Sequence, residues 1–203
     1  MKVEVFPLGL LRANCYFVEN DNRCLIIDPA DEADFILDEV QRKKLNPIAM
    51  LATHGHFDHI LAAGEIQLSF KIPLFISQKD LFLVKRLNET ARHFLEYDPK
   101  AIAPIVVKDV NEGELVLDGF ELEAIATPGH TPGSMSFYFA KEMVLLSGDT
   151  LFKGCIGRYD FSYSRKKDLQ KSLRKLLNLP ESTIVYPGHG EETTIAQEKK
   201  IMI

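Results

Sequence analysis

Within the seven residues Thr53-His54-Gly55-His56-Phe57-Asp58-His59, four side chains can ligate a metal, in the pattern H-x-H-x-D-H. Imidazole and carboxylate are common ligands of zinc and other divalent first-row metals. The preceding run, Ile48-Ala49-Met50-Leu51-Ala52, reads as a buried strand. Two histidines at i and i+2 in extended chain project to the same side. A turn after them would carry Asp58 and His59 back toward a second point a few Å away. So dense a set suggests a pair of metal ions. A bland reading, polar loop residues or a helix start, would suffice for a lone His-x-His, so the other histidines decide.

The chain has six histidines, and those outside the motif are His93, His130 and His189. His130 lies in Thr127-Pro128-Gly129-His130-Thr131-Pro132-Gly133 and His189 in Tyr186-Pro187-Gly188-His189-Gly190. Each is a Pro-Gly-His turn following an apolar, strand-like run. Between them, Ser147-Gly148-Asp149-Thr150 follows another such run, Met143-Val144-Leu145-Leu146. Strand ends thus offer ligand-capable residues beside glycines that let backbone approach closely. His93 has neither a strand end nor a glycine turn beside it and reads as a surface or packed histidine.

In that order, THGHFDH, PGHTPG, SGDT and PGHG resemble the metallo-β-lactamase fold superfamily, and within it the glyoxalase II-like hydrolases. The likeness runs from PLGLLRANCY near the start to PGHGEET near the end. It implies an α/β fold, the αβ/βα four-layer sandwich of two mixed β-sheets flanked by helices. It also implies two divalent metal ions, zinc first, with iron or manganese as alternatives. Matched position by position, His54, His56 and His130 would hold one ion, and Asp58, His59 and His189 the other. Asp149 would bridge them. Five neutral imidazoles and two carboxylates leave two divalent cations net positive, which favours a bound hydroxide as nucleophile near neutral pH. Asp58 could orient the attacking water. Asp28, before Pro29, would accept from the far N–H of a ligand imidazole, or is simply a turn-forming residue.

No Ser-His-Asp or Cys-His pattern stands outside these residues, and Cys155 has no evident base beside it. Thioester hydrolysis needs a general acid least, because a thiol pKa of about 8.5 makes a good leaving group. In the glyoxalase II-like group a basic residue after the bridging aspartate meets a glutathione carboxylate, and Arg158 matches that position. Arg158 could equally pair with Asp160. Classical members continue into a C-terminal helical domain. This chain stops at Ile203 and is expected to belong to the short, single-domain branch, as one hydrolase domain over residues 1–203. Rival readings on the same residues are an iron-dependent persulfide dioxygenase and a lactonase or phosphodiesterase.

The rest of the chain must position these residues. At 203 residues, 46% hydrophobic and 26% charged, it matches an ordinary globular domain. A net charge of −5 disfavours nucleic acid as a partner. No signal-peptide pattern or apolar run of membrane-spanning length is visible, so no membrane partner is expected. Three scattered cysteines, Cys15, Cys24 and Cys155, suit reduced thiols in the cytoplasm. The expected partner is a small anionic thioester.

Alternation predicts strands at 2–8, 13–19 and 23–27, with Asn20-Asp21-Asn22-Arg23 as a hairpin turn. A helical period follows over 31–45, with Asp31 as N-cap and Asn46-Pro47 as its end. Residues 60–70 read as a buried helix and 73–76 as a strand. Residues 79–97 read as a helix whose wide apolar face marks burial or a cover over the site, and 98–104 as a loop that could lie over it. Strands are predicted at 105–108, 114–118, 120–126, 134–140 and 142–147, then an irregular loop to about 164. An amphipathic helix over 165–178, a strand at 183–186 and a closing helix over 191–199 complete the chain.

Overall fold

The computed structural model describes residues 1–202. The chain divides into two compact units, Met1–Val110 and Asn111–Ile203.

The first unit begins as an antiparallel meander of β1 (Lys2–Leu8), β2 (Ala13–Asn20) and β3 (Arg23–Ile27). Asp21 takes the left-handed turn conformation, φ 54°, that closes the β2–β3 hairpin. Helix α1 (Ala33–Arg42) then crosses over, so that β4 (Asn46–Leu51) joins β3 in parallel. Cys24, Leu25, Ile26 and Ile27 are all buried, the continuous apolar run of a strand covered on both faces. Beyond β4 come α2 (Phe57–Ile60), α3 (Ala63–Phe70), β5 (Leu74–Ile76), α4 (Leu81–Lys85), α5 (Leu87–Leu95) and β6 (Val107–Asp109). The strand order is β1-β2-β3-β4-β5-β6, with β5 and β6 added in parallel. Phe17, Ile26, Met50, Ile60, Ile66 and Leu74 share its core.

Several boundaries differ from the sequence expectation. Asp31 does not cap α1. Glu32 precedes the helix at φ 55° without a side-chain cap, and Asp31 Oδ1 accepts instead from the Glu32 amide at 2.7 Å. The helix stops at Arg42 because Lys44 turns left-handed and the Leu45 amide donates back to the Val40 carbonyl, closing the carbonyl end. Asn46 and Pro47 open β4 rather than ending α1; a strand start tolerates the missing proline N–H. The helix expected over 60–70 starts only at Ala63, as α3, and a separate short helix before it, α2, carries Asp58 and His59. Residues 79–97 break at Arg86 into α4 and α5, after a 3₁₀ turn at Gln78–Asp80. Leu83, Val84, Leu87 and Ala91 are buried, whereas Phe82 and Phe94 stay partly exposed. The loop after α5 is packed down: the Asn88 side chain bonds both the amide and the carbonyl of Ala101 at 2.8 Å.

The second unit runs antiparallel through β7 (Gly113–Leu117), β8 (Phe120–Ala126), β9 (Met135–Phe139) and β10 (Val144–Gly148). The stretch after Asp149 is not wholly irregular, because β11 (Leu151–Phe152) and β12 (Cys155–Ile156) pair as a hairpin. Helix α6 (Lys166–Leu177) buries Leu169, Leu173, Leu176 and Leu177 and crosses over to β13 (Ile184–Pro187), parallel to β10. Thr193–Thr194 form β14, antiparallel to β13, so the closing helix α7 starts only at Ile195 and runs to Met202. The order is β14-β13-β10-β9-β8-β7. Among the described residues no helix is long and apolar enough to cross a membrane.

Candidate metal centre

In the first unit the chain leaves β4 at Leu51 and delivers Thr53, His54 and His56 before α2 begins. All of these are buried, as is His59. Asp28 organises them. Its Oδ1 accepts from the Thr53 amide at 2.6 Å, and its Oδ2 accepts from the Thr53 hydroxyl at 2.7 Å and from His59 Nδ1 at 2.9 Å. The Thr53 hydroxyl spends its proton on Asp28, so its oxygen accepts from His54 Nδ1, 3.1 Å away. Both rings are therefore held through Nδ1, which leaves Nε2 as the atom that could face a metal. His54 Nε2 and His56 Nδ1 lie 3.0 Å apart. Two ligands at about 2.0–2.1 Å around a tetrahedral ion would sit about 3.3 Å apart, so this spacing fits one metal. Asp58, on α2, places Oδ2 3.8 Å from His59 Nε2.

In the second unit three strand ends and turns carry the remaining residues. Gly129, with φ 140°, precedes His130; a Cβ there would come within 2.3 Å of the Leu169 amide nitrogen, so only glycine lets this turn lie against α6. His130 Nδ1 donates to the Arg158 carbonyl at 2.8 Å, so the ring's other nitrogen, Nε2, is the one turned toward Asp149. Asp149 Oδ2 is 3.4 Å from His130 Nε2 and 3.9 Å from His189 Nε2. One carboxylate oxygen thus faces two imidazoles. The His189 turn is tied to β10 by the Gly188 amide, which donates to the Gly148 carbonyl at 2.9 Å.

The donor set fits divalent metal ions. Among the described residues, those able to hold one are His54, His56, Asp58 and His59 in the first unit, and His130, Asp149 and His189 in the second. His93 lies exposed on α5, edge-on to Phe94. Among the described residues, none of these groups includes a cysteine; burial pushes the Cys15 and Cys24 thiols far up, and burial followed by the Glu198 charge raises Cys155. Arg158 uses its guanidinium on Asp160 through Nε at 3.0 Å and a terminal nitrogen at 2.9 Å, above the Phe161 ring.

Three supporting residues escaped the sequence reading. Asp80, fully buried, accepts from the Gly55 amide at 2.9 Å and pins the turn between His54 and His56. Its one signal was the Ser77-x-x-Asp80 spacing of a helix start. Gly157 passes so close to Asp149 that a Cβ would fall 1.8 Å from the Asp149 carbonyl oxygen. Ser164 donates to the His130 carbonyl at 2.6 Å.

The sequence pattern of the metallo-beta-lactamase superfamily matches residues 8–189. The chain belongs to that superfamily. It is 38% identical over 204 residues to the hydroxyacylglutathione hydrolase GloC of Haemophilus influenzae, covering 98% of this chain and 96% of that one. The crystal structure of TTHA1623 in a di-iron-bound form matches with a TM-score of 0.90 and 36% identity, covering 98% of each chain. The BLEG-1 B3 metallo-beta-lactamase matches with a TM-score of 0.88 and 36% identity, covering 98% of this chain and 97% of that one. Two mixed β-sheets flanked by helices are thus the metallo-β-lactamase fold, as the motifs implied. The protein is a member of a metallo-hydrolase superfamily with histidine and aspartate groups suited to divalent metal ions.

Proposed function

We propose that this protein is a glyoxalase II-like hydrolase of small anionic thioesters, with residues 1–203 acting as one dinuclear metal-dependent domain in the cytoplasm. His54, His56 and His130 would hold one ion, Asp58, His59 and His189 the other, with Asp149 bridging. The observation that supports the metal reading is that His54, His59 and His130 are each held through Nδ1 by an oxygen on the ring's far side, which leaves Nε2 of each available to an ion. When bound, two divalent ions would supply Lewis acidity and a water acidic enough to attack near neutral pH.

The chain's own residues do the rest. Asp58 can accept a hydrogen bond from the attacking water and so aim it at the thioester carbonyl carbon. As the C–S bond breaks the thiolate leaves unprotonated, which its low basicity allows. That ease matters, since His93 stands apart on α5 and every other histidine is assigned to metal. The 38% identity to GloC, whose name states hydroxyacylglutathione hydrolysis, supports a thioester substrate. Zinc is the proposed metal; the iron-bound relative makes iron the second reading.

The deciding experiment is hydrolysis of S-lactoylglutathione by zinc-reconstituted protein, followed as loss of thioester absorbance. Turnover that disappears on chelation and returns with metal is expected. Metal-loaded protein without turnover would overturn the thioester reading, and a lactone, an ester, a β-lactam or a persulfide with iron would be tried next.

A further inference from the structure

The segment 150–158 is joined to all three ligand-capable residues of the second unit. It begins at Asp149, and Gly157 closes it against Asp149, with the Gly157 amide donating to the Thr150 carbonyl at 3.4 Å. It ends at Arg158, whose carbonyl fixes the His130 ring. Along the way Phe152 lies 6.5 Å, centroid to centroid, from His189, and Lys153 pairs at 2.6 Å with Glu191, two residues beyond that histidine. The tip of this hairpin is held from elsewhere in the sequence. Glu198, on α7, is fully buried; its Oε2 accepts from the Gly154 amide at 3.0 Å and its Oε1 from the Thr193 hydroxyl at 2.7 Å. Both donors are neutral. A carboxylate buried on neutral donors is costly, and the mechanism above assigns Glu198 no role.

We propose that Glu198 is a positioning residue for the metal centre: through the Gly154 amide it latches the 151–156 hairpin to the C-terminal helix, and the hairpin in turn sets His130, Asp149 and His189. The inference rests on the metal reading above, though not on the thioester. Residues that orient metal ligands without touching the ion typically change affinity by about 10- to 100-fold. The latch acts one step further out, so a loss near the lower end of that range is expected.

The test is the affinity of the purified full chain for Zn2+ alone, measured by competition with a chromophoric chelator. Glu198→Leu fills similar space without an acceptor and should weaken zinc binding roughly tenfold. Glu198→Gln keeps a carbonyl for the Gly154 amide and should restore affinity to within about threefold of the parent. Equal affinity in the parent and in folded Glu198→Leu overturns the inference, as does a glutamine variant no better than leucine. If Glu198→Leu does not fold, the parent decides alone. Linkage requires that zinc, if coupled to the latch, slow hydrogen exchange at the Gly154 amide, and exchange there that ignores zinc overturns the inference. A parent that binds no zinc or iron refutes the metal reading itself, a different outcome from zinc binding that is indifferent to residue 198.

Discussion

Asp28 accepts from the Thr53 amide, the Thr53 hydroxyl and the His59 ring, and does so from a left-handed backbone at φ 50°. It is thus both a residue in a turn before proline and an acceptor for an imidazole N–H. Arg158 likewise divides into two parts. Its carbonyl holds His130, while its exposed guanidinium rests on Asp160 and holds that carboxyl below the usual range. An exposed pair of this kind contributes little stability and can open to receive a substrate carboxylate. Arg158→Ala should therefore raise the Michaelis constant for anionic thioesters several-fold, with no change for an uncharged thioester. Metal content should not fall, because the backbone contact to His130 survives. Steady-state kinetics on a charged and a neutral substrate, beside metal analysis, checks both halves; equal constants for wild type and variant would remove the side chain from recognition.

At the scale of elements, ligand placement depends on backbone passing close to backbone. The carbonyl of Asp149 and the Cα of Gly157 leave no room for a methyl group, and no rotamer change could make any. Gly157→Ala is expected to cost about 2–3 kcal/mol in denaturant unfolding, as overpacking against main chain does. The same change should loosen metal, since the displaced backbone carries Asp149 on one side and the Arg158 carbonyl on the other. A variant as stable and as well metallated as the parent would show that this segment yields more easily than its packing implies. Short elements behaved as periodicity cannot foresee. The paired residues Leu151–Phe152 and Cys155–Ile156, and Thr193–Thr194 beside β13, are too brief to carry a pattern, yet each gains hydrogen bonds from the strand it folds back on. The break at Arg86 is similar: the period runs through α4 and α5, but the chain turns between them.

Across the whole molecule, the candidate ligands are shared out as four in the first unit and three in the second. Metal bound to the native state and not to the unfolded chain must add stability. At a free zinc concentration of about 100 times its dissociation constant the gain is about 2.7 kcal/mol, or roughly 5–10 °C in Tm for a chain of this size. Calorimetry with and without a chelator measures it, and an unchanged Tm would argue against metal held by the folded chain. Periodicity gave only mixed α and β, and the four-layer sandwich followed from the family resemblance of the motifs. The sequence alone offered the main strands and helices and the candidate ligands, because strand alternation, glycine turns and histidine spacing are local patterns. Tertiary structure alone decided which neighbours complete them. Asp80 on the Gly55 amide, the Arg158 carbonyl on His130, and Glu198 on the Gly154 amide each join a side chain to backbone 25, 28 or 44 residues away. A backbone amide or carbonyl has no residue type by which to be recognised, so only the folded chain can show which one a side chain meets.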